Sequence, residues 1–255
     1  MNSRQTPGKA TLLAAIALGA LSATTLFAAH HTLAERIASE TRSAEDRARD
    51  DGRRPAEVLQ FLGVEEGMRV VDIMAAGGWY TEVLSLAVGP EGRVVAQNPD
   101  FILRFRDGAN DKALSARLAG GRLANVSRLD RNFEDLKAAD GPFDLALSAL
   151  NFHDVYNRNG PEAAVAMLES VRSVLKPGGV FGIIDHAGDT GADNVAMHRI
   201  EKAAVIASAE AAGFVVEGES DVLHFADDDR TQSVFSEGLR GMTDRFVLKL
   251  RKPVE

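Results

Sequence analysis

From Met68 onward the chain alternates short apolar, β-rich runs with stretches that read as helices, and this alternation narrows the possible folds more than any other feature. The runs are MRVVDIM (68–74), GRVVAQN (92–98), NVSRLD (125–130), PFDLALSAL (142–150) and GVFGIID (179–185). Between them lie TEVLSLAV, a helix around 100–119, and PEAAVAMLESVRSVL (161–175). Strands that are apolar throughout, rather than at every second residue, are buried on both faces, as in a parallel sheet covered by two helical layers. GFVVEGES (213–220) and TDRFVLKLRK (243–252) add two strands joined by a long polar loop. The expected fold class is therefore α/β: a three-layer, Rossmann-like, doubly wound sheet of seven strands, mostly parallel, with an antiparallel last strand.

Upstream, Pro55 opens a helix (PAEVLQFLGV) whose Val58, Leu59 and Leu62 share one face, and Glu66-Gly67 makes a turn. Residues 30–54 form a charged lead-in (LAERIASETRSAEDRARDDGRR) expected to lay one or two helices over the core of a domain spanning 55–255. Residues 1–29 carry only Arg4 and Lys9, followed by an uncharged run from Ala10 to Ala29. A basic start, an apolar stretch and small residues at its end make a secretory signal, so an exported, periplasmic protein is expected. Cleavage after Ala28 or Ala29 would put Leu26 or Phe27 where a small residue is preferred, and the run is nearly long enough to span a bilayer. An uncleaved inner-membrane anchor is the alternative, and would be the only membrane contact.

The formal charge is −8, and removing residues 1–29 leaves 27 basic against 37 acidic residues, or −10. An acidic body argues against nucleic acid as a partner, because phosphate backbones call for a concentrated basic face. There is no cysteine, which excludes disulfides, thiolate metal sites, a cysteine nucleophile and a lipid anchor on an N-terminal cysteine. A small-molecule substrate is the expected partner. No pattern in the sequence speaks to oligomeric state.

The order of elements, VVDIMAAGGWYTEVLS at the first strand, and the LKPGG segment at 175–179 resemble the class I S-adenosylmethionine-dependent methyltransferases over roughly residues 55–252. The lead-in AEDRARDDGRRPAEVLQFLG, the GGWYTE turn and the closing RGMTDRFVLKLRKP are similar to a group of predicted exported bacterial methyltransferases. The resemblance implies that a turn after the first strand holds the methionine part of the cofactor. Asp72 sits at its acidic position, and Met74, Ala76 and Gly78 occupy its three glycine positions. Ala75, Gly77 and Tyr80 complete that cofactor-binding set. Close approach needs small residues there, and Met74 fits only if its φ stays negative.

Further positions follow from the same likeness. Asn98 stands where an acid grips the ribose, with Asp100 as a substitute. Asn132 takes the place of the acid near adenine, and Phe133 is either packed on the ring or an ordinary core aromatic. Pro177 and the glycines of LKPGG are architectural.

Ligands of open α/β sheets lie beyond the carboxyl ends of the strands. Asn151-Phe152-His153-Asp154 follows the fourth strand and Asp185-His186 the fifth. Methyl transfer to an alcohol or phenol needs orientation, desolvation and a base, and histidine suits that base near neutral pH. The expected catalytic residues are His153, oriented by Asp154 or Asp185, with Asn151 on the cofactor side. The main reading assigns no metal; an alternative gathers His153, Asp154, Asp185 and His186 around a divalent ion. Asp144 reads as structural and Asp227-Asp228-Asp229 as a solvated loop. Arg47, Asp50 and Arg53 form either a lid over the cofactor or a surface ion-pair network. A degenerate methyltransferase fold in the cell envelope, binding another ligand or serving a non-catalytic role, is the competing function, and a dinucleotide oxidoreductase fits the glycine spacing poorly.

Overall fold

Seven strands make one sheet: β1 (Arg69–Ile73), β2 (Arg93–Asn98), β3 (Val126–Asp130), β4 (Phe143–Ala149), β5 (Leu175–His186), β6 (Val215–Ser220) and β7 (Arg245–Arg251). Their order across the sheet is β3-β2-β1-β4-β5-β7-β6, and β7 runs antiparallel to both of its neighbours. The computed structural model describes residues 1–2 and 32–254. Residues 32–254 pack as one unit. The signal segment read in residues 1–29, with its cleavage site, lies outside the described residues apart from Met1 and Asn2. Among the described residues no helix is long and apolar enough to cross a membrane.

Alternation along each strand assigns the two faces. Val71, Ile73, Ala146, Phe181 and Leu248 pack with the helices Phe152–Asn159, Pro161–Val174 and Lys202–Ala211. Val70, Leu145, Leu147, Ile184 and Val247 pack with Pro55–Leu62 and Trp79–Val88. The period of two places Asp72 on the second face, under the helix that follows the first turn.

The sequence expectations need two local corrections here. LKPGG lies within β5 rather than before it: Leu175 pairs with Phe143, then the register jumps so that Leu145 faces Val180. The helix expected around 100–119 is broken, because Arg106, Asp107 and Gly108 all have positive φ. Side chains seal the break, with Lys112 donating to the Asp107 carbonyl and Asn110 to that of Ile102.

The lead-in folds as three short helices, Leu33–Ile37, Ala44–Arg47 and Asp50–Arg53, that strap across the helix Trp79–Val88. Ile37 enters the core, and buried Arg42 grips Asp50 through two bonds of 2.7 and 2.8 Å. The indole of Trp79 donates to the Asp46 carbonyl, and Arg117 ties Asp46 to buried Glu82. At the other side of the sheet, Asp228 is not a solvated loop residue. Its carboxylate is buried against Arg199 at 2.9 Å and accepts the backbone N–H of Asp244 and Arg230. Asp227 and Asp229 are exposed, as read from the sequence. Asp144 is structural, accepting from the Arg69 backbone and from Lys176.

Candidate active site

The turn leaving β1 is built from left-handed residues. Met74 has φ +52° and Ala76 φ +50°, so the expectation that Met74 stays at negative φ is overturned. Such a conformation costs an L-residue about 1–2 kcal/mol unless its surroundings hold it. Here they do. Gln97 at the end of β2 accepts from the Met74 N–H with its side chain and from the Ala75 N–H with its carbonyl. Asn98 accepts from Ala76 at 2.8 Å and donates back to the Ala76 carbonyl at 3.2 Å. The Met74 side chain fills the core, 1% exposed.

Asn98 is therefore corrected as a ribose ligand: it is fully buried and both polar ends of its amide are spent on the turn. Asp72 is likewise no cleft residue. Its carboxylate accepts the Thr81 hydroxyl at 2.6 Å beneath the helix, and burial pushes its pKa up to about 7. Gly78, at φ +81°, starts that helix, and a Cβ there would stand 2.8 Å from Leu114 Cδ1. Only Ala76 and Gly77 leave the turn partly open, whereas Ala75 is buried. Asn132 accepts from the Asp100 backbone, Asp100 pairs with Arg104, and Phe133 packs half-buried against the core.

Two hydrogen-bond donors stand beside this turn. The Arg53 guanidinium stacks 4.4 Å from the Trp79 ring centre and 5.9 Å from that of Tyr80. Among the described residues neither it nor the Tyr80 hydroxyl makes a hydrogen bond or ion pair. Burial and the neighbouring Arg49 pull the Arg53 pKa down to about 10, as expected of a cation without a counter-ion. Burial pushes Tyr80 up to about 12. Arg53 was read as part of a lid or a surface network, and the sequence gives no sign that it stands unpaired.

At the ends of β4 and β5 the polar side chains meet one another. His153 lies on the first turn of the helix Phe152–Asn159, and its Nδ1 is 2.7 Å from Asp185 Oδ1. The His153 backbone N–H donates to the other carboxylate oxygen, also at 2.7 Å. Burial opposes charge on both groups, and the attraction between them outweighs it: the His153 pKa is raised and that of Asp185 lowered. With Nδ1 engaged, Nε2 points toward Asp154, 3.6 Å away. Of the two expected orienting acids, Asp185 holds the ring and Asp154 faces its free edge. Asn151 donates to the Met74 and Ala149 carbonyls, tying β1 to β4, and no described donor reaches its Oδ1. His186 is spent on Thr243 at 2.8 Å, and burial pulls its pKa down to about 3.

Residues 71–183 match the family model described as "Methyltransferase domain". A solved S-adenosylmethionine-dependent methyltransferase from Aquifex aeolicus superimposes with a TM-score of 0.56 over 82% of this chain and 97% of its own, at 22% identity. The fold is that of the methyltransferases. A second solved methyltransferase-fold neighbour, the Aeropyrum pernix fibrillarin with natively bound S-adenosyl-L-methionine, aligns with a TM-score of 0.51 over 76% of this chain and 73% of its own, at 14% identity. In sequence, the ubiquinone/menaquinone biosynthesis C-methyltransferase UbiE of Pseudomonas paraeruginosa is 34% identical over 129 residues, 50% of this chain and 45% of that protein. The chain thus spans about half the length of the curated relatives it matches.

Set on this methyltransferase fold, the unpaired donors fit the cofactor. S-adenosylmethionine carries a carboxylate at its methionine end, and a guanidinium with a hydroxyl beside the first turn is the donor set such a group requires.

Proposed function

We propose that this protein is an S-adenosylmethionine-dependent methyltransferase acting on a small molecule that carries an ionisable hydroxyl. The observation that carries the reading is the presence of two features at the carboxyl ends of the parallel strands: Arg53 and Tyr80, without a hydrogen bond among the described residues, beside the β1 turn, and the His153–Asp185 dyad at the ends of β4 and β5. Arg53 and Tyr80 would hold the cofactor carboxylate, the open backbone at Ala76–Gly77 its methionine chain, and Asn151 Oδ1 its amine. The bound cofactor supplies an electrophilic methyl. Asp185 fixes the His153 ring through Nδ1 and leaves Nε2 to receive the acceptor proton. The acidic surface supports a small acceptor over nucleic acid. A periplasmic location rests on residues 1–29. Finding the protein in the cytoplasmic fraction of its host would remove that part.

Trp79 is the only tryptophan and lies against Arg53. Adding S-adenosylhomocysteine to the full-length protein should change its fluorescence and release heat, and Arg53→Ala should weaken binding about tenfold or more. Silence in both measurements at millimolar ligand would overturn the reading. That result would favour a fold kept for binding another ligand, the reading supported by the commitment of Asn98 to the turn.

A further inference from the structure

We propose that His153, Asp154 and His198 form a binding site for a divalent transition-metal ion of the zinc type. One donor atom from each lies within 4.8 Å of the others. Asp154 Oδ1 is 3.6 Å from His153 Nε2 and 3.8 Å from His198 Nδ1. Ligand bonds of about 2.0–2.2 Å in a tetrahedron put donors about 3.3 Å apart, so the two Asp154 pairs need to close by only a few tenths of an ångström and the two histidine nitrogens by at most about 1.5 Å. Asp154 and His198 are partly exposed and can make that movement, with side-chain exposures of 34% and 42%.

The surroundings are those of a ligand set. Asp185 holds His153 through Nδ1, which fixes the ring and presents Nε2; metal-bound histidines are oriented by a carboxylate in the same way. His198 caps the short helix Asn194–Met197 at φ +54°, a conformation that costs a histidine about 1–2 kcal/mol, and its ring rests edge-on against Phe235 at 4.8 Å. Two histidines and one carboxylate leave a coordination position open toward the cleft, as catalytic rather than structural zinc sites do. The set differs from the one weighed on sequence. Asp185 lies on the opposite edge of the His153 ring, and His186 is bound to Thr243.

The inference needs no cofactor and stands apart from the methyltransferase reading; only its consequence touches that reading. An ion at this site takes the lone pair that His153 would offer to an acceptor proton, so metal binding and proton acceptance exclude one another.

Full-length protein stripped with a chelator should bind one equivalent of Zn²⁺ by calorimetry. With Co²⁺ it should develop the visible absorption of a low-coordinate site. His198→Ala and Asp154→Asn should each weaken Zn²⁺ binding about tenfold or more. Both should melt within about 2 °C of the parent in chelator, because neither residue is in the core. His224→Ala removes an exposed histidine bound to Asp244 outside the cluster and should leave the affinity unchanged. The proposal is overturned by absence of stoichiometric binding at about 100 μM Zn²⁺, or by equal losses in the His198 and His224 variants. S-adenosylhomocysteine titration of the same samples separates the two readings, since loss of one signal leaves the other intact.

Discussion

The two halves of the sheet's carboxyl edge use polar side chains in opposite ways. Beside β1 and β2, Gln97 and Asn98 are spent on the turn itself, and what remains open is backbone and two donors borrowed from neighbouring elements. Beside β4 and β5, His153, Asp154 and Asp185 are aimed at one another, with one imidazole nitrogen left over. The first end is a rigid cradle and the second a reactive edge. The difference teaches that matching residue types at strand ends does not fix their roles: side-chain direction does, and it separates Asn98, spent on the turn, from His153, whose Nε2 is left facing partly exposed Asp154.

The comparison can be broken first at the reactive edge. Asp185→Ala leaves the His153 ring and the backbone N–H groups of His153 and His186 without their acceptor, and should cost about 3–5 kcal/mol in urea unfolding. A loss under about 1 kcal/mol would mean that the dyad is not a structural unit.

The cradle is tested through pH. Asp72 holds its proton up to about pH 7 when folded but releases it near 3.8 when unfolded, so folding is favoured at low pH and loses stability as pH rises between those values. Asp72→Asn lacks this slope. Its stability relative to the parent should improve by a few kcal/mol from about pH 4 to about pH 8, at no more than about 1.4 kcal/mol per unit. Parallel pH profiles would show that the carboxyl is not desolvated.

The smallest effect sharpens why the turn departs from glycine. Met74→Gly relieves about 1 kcal/mol of backbone strain but empties a core position worth about 2–5 kcal/mol, so a net loss of about 2 kcal/mol is expected by calorimetric melting. A variant more stable than the parent would place the strain above the packing.

The strand runs and their order were legible because period and composition are local signals. The pairing of His153 with Asp185 was legible as one of two alternatives, Asp154 being the other, since both residues stand at the ends of adjacent strands. His198 was not: it arrives from beyond β5, on a segment pinned where Ala187 bridges Ile200, and no spacing announces that return. Nor could spacing reveal that Asn98 turns inward, because the choice depends on the neighbouring turn needing its two bonds. Asp228 was misread because its partner, Arg199, is distant in sequence, and a run of three acids has the composition of a solvated loop.

One contact joins two segments far apart in the sequence. Arg245, opening β7, donates to the carbonyl of Gly52 in the strap, and a Cβ on Gly52 would stand 2.4 Å from the Gly241 oxygen. The strap that carries Arg53 toward the cleft is thus latched by a residue made almost 200 positions later. Contacts of such separation form late, because the loop between them must close first. During synthesis the strap therefore stays unlatched until β7 arrives, and a segment made early is among the last to settle.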